Sequence, residues 1–346
     1  MRFSLPLVAT LRAAVCTAML FIPCGLLSAA ESAPQQTRAL AKGSLDPNLP
    51  LYHPVENLGG ELLLGGSNTL SHVASVWIDG FKRFYPNIKI SIEVNGSRQA
   101  VNDVSDSKTH IGLLSRTIYK TEVDTFRKNH GFNPTMLTPC LERTAIYVHK
   151  DNPITGLTVA QIDAIFSSEC RRGGEKYCGT WKQFGIREDW AGQPIVVHGR
   201  TKDTGSQVFL RQAVLLGGPF RDDIKTHPSN IEMLQAIAKD RSSIGFSGLS
   251  YASPHLRAVP LAFVEGEEFV AVDSPQAARG RYPLVRQLQF VVKHNPKEKM
   301  PSIEQEFIKY VFSRLGQEDV VKAGFQAIPA RPAHIALDAV GLGISR

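Results

Sequence analysis

Apolar residues along the chain change period several times, and each change predicts an element. Glu61-Leu62-Leu63-Leu64 is a short run of buried-strand type, followed by Gly65-Gly66-Ser67-Asn68. Beyond it Leu70, Val73, Ala74, Trp77, Ile78, Phe81 and Phe84 recur at helical spacing and give one apolar face, which Pro86 ends. Ile88 to Val94 alternates as a strand and runs into Asn95-Gly96-Ser97. A short helical stretch to about Ser107 precedes a third strand, His110 to Leu114, which ends at Ser115-Arg116. Strand–helix–strand–helix–strand is the order of an α/β unit with a parallel sheet. In such sheets ligands sit beyond the carboxyl ends of strands, near helix N-termini. All three strands here end in turns carrying Ser or Thr.

Farther along, Thr144 to Lys150 reads as a strand, and Leu157 to Phe166 as a helix opened by Thr158. Val196 to His198 is a strand presenting Arg200, followed by a helix from about Gly205 to Leu216. Asn230 to Lys239 predicts a helix, and Ser243 to Ala252 a strand ending in Gly and Ser. Leu284 to Val292 predicts a further strand, and Ser302 to Ala323 a helix pair. Residues 31–58 are rich in Pro, Gln, Ser and Asn without periodicity and read as a linker or extended arm. There are no internal repeats.

Residues 1–30 change the compartment. Arg2 and Arg12 precede an apolar run, Ala13 to Leu27, that closes on Ser28-Ala29-Ala30, the layout of a secretory signal peptide. Phe21-Ile22-Pro23 before Cys24 is a poor match to a lipobox, so cleavage after Ala30 is expected rather than lipidation. No later segment reaches membrane-spanning length, which makes the periplasm the expected location. The 346 residues suffice for two lobes with sizeable cores. The formal net charge of +7 suits anionic partners, but the positive residues are scattered, without runs or aromatic interleaving, which argues against nucleic acid. In an oxidising compartment Cys170 and Cys178 are expected to form a disulfide, leaving Cys140 unpaired and buried. No C-x-x-C occurs, and no two of the 10 histidines have metal-ligand spacing, so neither metal nor cofactor is expected.

A tetrahedral oxyanion in a dry cleft needs donors enough to saturate its lone pairs. Helix N-termini supply free N–H groups, Ser and Thr donate without bulk, and Arg grips two oxygens. Asn68-Thr69-Leu70, Gly96-Ser97, Ser115 and Arg200…Thr204-Gly205-Ser206 together provide this set. GGSNT alone is no P-loop, because no Gly-Lys-Ser/Thr follows.

The stretches GGSNTLSHVASVWIDGF, NGSRQAV, IGLLSR, GRTKDTGSQVF, SIGFSGLSYA, YPLVRQLQFVV and EFIKYVFSRLGQEDVVKAGFQAIP occur in this order. Over most of Leu62 to Pro329 the chain thereby resembles the periplasmic phosphate-binding proteins of phosphate ABC transporters, the PstS-like solute-binding family. Arg-x-x-x-[Ser/Thr]-Gly-[Ser/Thr] is its most specific element. The resemblance implies a two-lobed α/β periplasmic-binding-protein fold of type II. Each lobe would be a mixed sheet flanked by helices, with two crossover strands, inferred at Thr144–Lys150 and Ser247–Tyr251, as the hinge. Residues 59–147 and 250–346 would form the first lobe and 148–249 the second. It implies phosphate ligands at Thr69, Leu70, Ser97, Ser115, Arg200, Thr204, Gly205 and Ser206, with Asn68 and Arg116 as further candidates. Some members carry Ser-Asp where this chain has Ser115-Arg116, and that aspartate rejects fully ionised sulfate. Arg98 either reaches the ligand or faces water, and Asp203 either orients Arg200 or forms part of its turn.

The expected function is capture of inorganic phosphate by an exported monomer that delivers it to an ABC permease of the inner membrane. Other readings are a receptor for sulfate or molybdate and a phosphate-binding module outside transport. An exported phosphatase ranks behind these. Its nucleophile would be Thr204, Ser206 or Ser97, yet no positioned base or Gly-x-Ser-x-Gly elbow accompanies them, and only His72 and His198 are near.

Overall fold

A computed structural model describes residues 45–173 and 179–343 of the chain. The expected signal peptide, residues 31–44 of the arm, and Cys178 of the expected disulfide lie outside them. The first half folds as β1 (Glu61–Gly66), α1 (Asn68–Phe81), β2 (Lys89–Glu93), α2 (Ala100–Ser105), β3 (Ile111–Leu114), α3 (Lys120–His130) and β4 (Thr135–His149). Then come β5 (Leu157–Thr158), α4 (Val159–Phe166), β6 (Val196–Arg200), α5 (Gly205–Ala213), β7 (Lys225–His227), α6 (Asn230–Ile237) and β8 (Ser243–Gly248). The chain closes with β9 (Leu256–Ala258), β10 (Leu261–Ala262), β11 (Val285–Val292), α7 (Ser302–Phe312), α8 (Arg314–Lys322) and α9 (Ala330–Asp338).

The main sheet runs β2-β1-β3-β11-β4-β8-β6-β7, with β9 added on β4. β1 is parallel to β2 and β3, and β6 is parallel to β7 and β8, while β4 and β11 are antiparallel to each other between the two groups. β4 joins the groups because it is long. Its first part, Thr135 to Arg143, pairs with β11, and Thr144 to Val148 pairs with β8.

Apolar side chains gather on either side of that switch. Leu62, Leu64, Trp77, Phe81, Phe290 and Phe307 belong to one core, and Ile146, Phe166, Trp181, Leu210, Ile237 and Phe246 to another. A small third cluster, with Val104, Leu114 and Phe126, lies under α2 and α3. Burying each large side chain contributes about 2–3 kcal/mol, so these clusters dominate what holds the elements in place. Trp77 also satisfies its indole N–H on the carbonyl of Gly316 in α8 at 2.8 Å. The end of the arm is part of the first core: Leu49 is buried, and Tyr52 stacks edge-on against Tyr310. Cys140 is buried with a free thiol, and burial pushes that thiol well above its ordinary value.

Two expectations shift. Phe84, read as the end of the apolar face of the first helix, is 38% exposed because α1 stops at Phe81. The second crossing lies at Leu284–Arg286 rather than at Ser247–Tyr251. There the N–H of Thr144 donates to the carbonyl of Leu284 at 2.8 Å, and the hydroxyl of Tyr282 donates to the carbonyl of Thr144 at 3.1 Å. After β8 the chain pairs back onto β4 through β9 and onto β5 through β10, and Val259, Leu261, Val270, Tyr282 and Leu284 pack in the second core. The stretch 250–284, read as a return to the first lobe, thus buries its apolar residues elsewhere.

Candidate functional site

The turn after β1 is forced by Gly66, whose φ of 128° and closeness to Leu113 leave no room for a side chain; a Cβ would meet the Leu113 carbonyl oxygen at 2.4 Å. Ser67 follows in extended backbone and caps α1. Its hydroxyl accepts from the N–H of Thr69 at 3.2 Å and of Leu70 at 3.4 Å. The cap is therefore Ser67. The turns after β2 and β3 bring Ser97 and Ser115 together. Ser97 Oγ accepts from the Ser115 N–H at 3.1 Å and lies 3.1 Å from Ser115 Oγ.

Opposite them stands the start of α5. Thr204 is its extended first cap, but the Thr204 hydroxyl donates back to the Thr201 carbonyl at 3.0 Å, and no side chain caps the helix. The first-turn N–H groups, with the positive end of the helix dipole, are left open. The two sides touch: a Cβ on Gly205 would sit 2.0 Å from Ser115 Oγ. Between them is a cavity of about 440 Å³. Asn68, Thr69, Ser97, Ser115, Arg200, Thr204, Gly205 and Ser206 line it, whereas Leu70 and Arg116 do not. The Leu70 side chain is fully buried in the first core.

Arg200 ends β6 and is 6% exposed. Its guanidinium donates to the carbonyls of His227 (3.2 Å) and Pro228 (2.7 Å) and to the side-chain oxygen of Asn230. All three acceptors are neutral, and among the described residues no carboxylate pairs with it. Burial holds its pKa below the usual arginine range, yet it remains charged. The result is a desolvated cation with its counter-charge missing, facing a cavity.

Two other arginines nearby are paired. Arg116, weighed as a ligand group, is buried and forks onto both oxygens of Glu122, at 2.9 and 2.6 Å, with its guanidinium over the Tyr119 ring. Arg98 is largely exposed on the rim of the cavity, where it pairs with Asp203 across the mouth. Asp203 occupies a left-handed turn position, φ 68°, and makes no contact with Arg200. His198 stacks on His227 and shares a 2.9 Å nitrogen–nitrogen hydrogen bond with it, while its other ring nitrogen meets Ser243 Oγ at 3.1 Å. Burial, then the neighbouring His227 and Lys225, lower His198 to about 4, and burial lowers His227 as well.

The pair Arg286 and Glu142 went unselected among the sequence candidates, although YPLVRQLQFVV was part of the pattern. The signal was present: Arg286 occupies the same alternating face as Leu288 and Phe290, where a charge is out of place unless it has a partner. Its partner stands directly opposite on β4.

Two cores joined by two crossing strands, with a polar cavity where their turns meet, define the class of two-lobed solute-binding proteins. Consistent with that class, residues 29–314 match the family model of the PBP superfamily domain. The chain is 34% identical over 304 residues to the phosphate-binding protein PstS of Pseudomonas aeruginosa, covering 88% of this chain and 94% of that protein. It belongs to this PstS-like family of the periplasmic-binding-protein superfamily. The protein SphX of Synechococcus elongatus is 25% identical over 269 residues, 77% of each chain. Among solved structures, a substrate-binding protein with bound phosphate from Clostridium perfringens superposes with a TM-score of 0.62 at 21% identity, covering 78% of this chain and 100% of that one. An ABC-type phosphate transport receptor from Vibrio cholerae gives 0.61 at 18% identity, covering 77% and 100%. At these identities the superpositions establish the fold.

Proposed function

We infer that this protein is an exported receptor that captures inorganic phosphate in the cleft and delivers it to an ABC permease. The observation carrying this reading is Arg200, a buried cation without a carboxylate, set against an uncapped helix N-terminus and a row of hydroxyls. An oxyanion supplies the missing counter-charge and accepts from both sides at once. Thr69, Ser97, Ser115, Arg200, Thr204, Gly205 and Ser206 would hold it, and the relatives named PstS support phosphate as its identity. We assign the first lobe to 59–143 and 286–343 and the second to 144–285, each with its own core, working as a monomer. No helix among the described residues is long and apolar enough to cross a membrane. No catalytic step is assigned: among the described residues His198 is engaged by His227 and Ser243, and Asp203 by Arg98, so neither is poised as a base for these hydroxyls.

One observation favours a second reading, a broader oxyanion receptor. Asp203, the single carboxylate among the described residues that line the cavity, is already tied to Arg98. The proton of hydrogen phosphate then has no free acceptor of the kind that would exclude sulfate. Titration calorimetry of protein stripped by unfolding and refolding, against phosphate, sulfate, molybdate and a phosphomonoester, separates the readings. Tight phosphate binding with no sulfate response supports the first, equal binding of both supports the second, and silence toward all four overturns both.

A further inference from the structure

Beneath the hydroxyl wall lies a charged pair that the ligand set above does not use. Arg286 and Glu142 face each other across β11 and β4, and both side chains are 3% exposed. The guanidinium meets Glu142 Oε2 at 2.5 Å. Its other donors go to the site: Nη1 to the Ser115 carbonyl at 3.0 Å and Nη2 to Thr69 Oγ1 at 3.3 Å. The same guanidinium lies 5.7 Å from the ring centroid of Phe209 on α5. One buried cation thus touches the start of α1, the end of β3 and the helix that opens at Gly205.

Stability is a poor explanation for this pair, because burying two charges costs about as much as their attraction returns. Glu142 makes the balance worse. Its Oε1 has no hydrogen-bond partner among the described residues and is pressed against Gly248, where a Cβ would come within 2.1 Å of it. The effect on Thr69 is a better explanation. A hydroxyl has one proton and two lone pairs. With Arg286 donating into a lone pair, the Thr69 proton is left for the cleft, and accepting from a cation makes that hydroxyl a stronger donor. The Ser115 carbonyl, held by the same fork, fixes the turn that aims Ser115 Oγ.

Resting on the oxyanion reading above, we propose that Arg286 is a positioning residue for the bound anion: it directs the Thr69 hydroxyl and the Ser115 turn into the cleft. Glu142 keeps the guanidinium in place. Removing Arg286 alone would strand Glu142, so the test uses the uncharged pair E142Q/R286M, with Thr69→Val to delete the hydroxyl at constant shape. Phosphate affinity is measured for wild type, T69V, E142Q/R286M and the combination of all three, with melting temperatures confirming the fold. T69V and the uncharged pair should each weaken binding at least about tenfold, the loss of a hydrogen bond to a charged group. Because Arg286 acts through Thr69, the combination should bind no more weakly than the worse of the two. The proposal is overturned if E142Q/R286M binds as wild type does, or if the losses multiply as for independent sites. Should the uncharged pair fail to fold, Arg286→Lys, which keeps a charge for Glu142 but loses the planar fork, takes its place in the cycle. A wild-type protein indifferent to phosphate would sink the phosphate reading instead, and the cycle is then run with sulfate or molybdate.

Discussion

On one wall of the cleft, Ser67, Ser97, Ser115 and Thr69 are already bonded, to each other, to helix N–H groups and to Arg286. On the other, α5 begins uncapped and Arg200 is charged among neutral acceptors. The first wall is a network whose hydroxyls are held in place by their own hydrogen bonds. The second is unsatisfied, and an anion completes it. The two walls therefore contribute different things: the first supplies direction, and the second supplies most of the attraction.

Loss of Arg200 should expose this difference most sharply. Arg200→Ala is expected to cost about 2–5 kcal/mol of phosphate affinity, the range for truncating a buried, hydrogen-bonded charge facing another. Ser97→Ala should cost only about 1 kcal/mol, since its hydroxyl is shared with Ser115 and the network can rearrange. Calorimetry on both variants decides, and equal losses would break the distinction between the walls.

Next in size is the point where the walls touch. A Cβ on Gly205 would lie 2.0 Å from Ser115 Oγ and 3.0 Å from the Ser115 carbonyl oxygen, so more than a side-chain rotation is needed to admit it. Gly205→Ala should weaken phosphate binding by about 1–3 kcal/mol, the usual penalty of overpacking. Small-angle scattering at saturating phosphate should show the variant less compact than wild type. An unchanged scattering curve with unchanged affinity would mean the contact is not part of the bound state.

How much of this could be read from the chain depends on whether a residue's role is local. The strand-then-helix turns at Ser67, Ser97, Ser115 and Thr204 follow from short-range period changes and glycines, so eight of the ten site candidates line one cavity. Helix α3 carries no periodic signal in the sequence, because Phe126 is its one fully buried residue and a single apolar position has no period. The other misses are long-range facts. Arg116 looked available until Glu122 was folded onto it, and the return crossing at Leu284 depends on Thr144, 140 residues earlier. Arg286 was readable only as an anomaly of alternation; nothing local shows that Glu142 and Thr69 stand beside it.

The histidine pair behind Arg200 gives a milder effect, reached by pH rather than mutation. His198 falls from an ordinary 6.5 to about 4 in the fold, chiefly through burial, so the folded state favours the neutral ring. The stability this adds is fully present above pH 6.5 and is lost as pH falls from there through 4. His227, Lys225, Asp240 and Ser243 surround the ring, and of these only Asp240 favours its protonation. The melting temperature should therefore drop over that window, and His198→Gln, which cannot protonate, should flatten the drop. A wild-type profile that stays level between pH 6.5 and 4 would contradict the burial argument.

The smallest expected effect lies at the mouth, where both walls again meet through charge. Arg98, after β2, pairs with Asp203, in the turn before α5, but the side chains are 68% and 36% exposed. Exposed pairs of this kind contribute roughly 0.2–1 kcal/mol and are screened by salt. Arg98→Ala should then weaken phosphate binding by no more than about fivefold, mainly through faster release, because the pair forms only when the walls approach. Charge reversal isolates the contact from the charges themselves. Arg98→Asp alone should release phosphate faster, and Arg98→Asp combined with Asp203→Arg should recover most of the lost residence time at low salt. Stopped-flow release measured at two salt concentrations reads both. If the swap fails to recover, Arg98 acts on the anion through its positive charge rather than on the opposite wall, and the mouth belongs to the attractive side of the comparison.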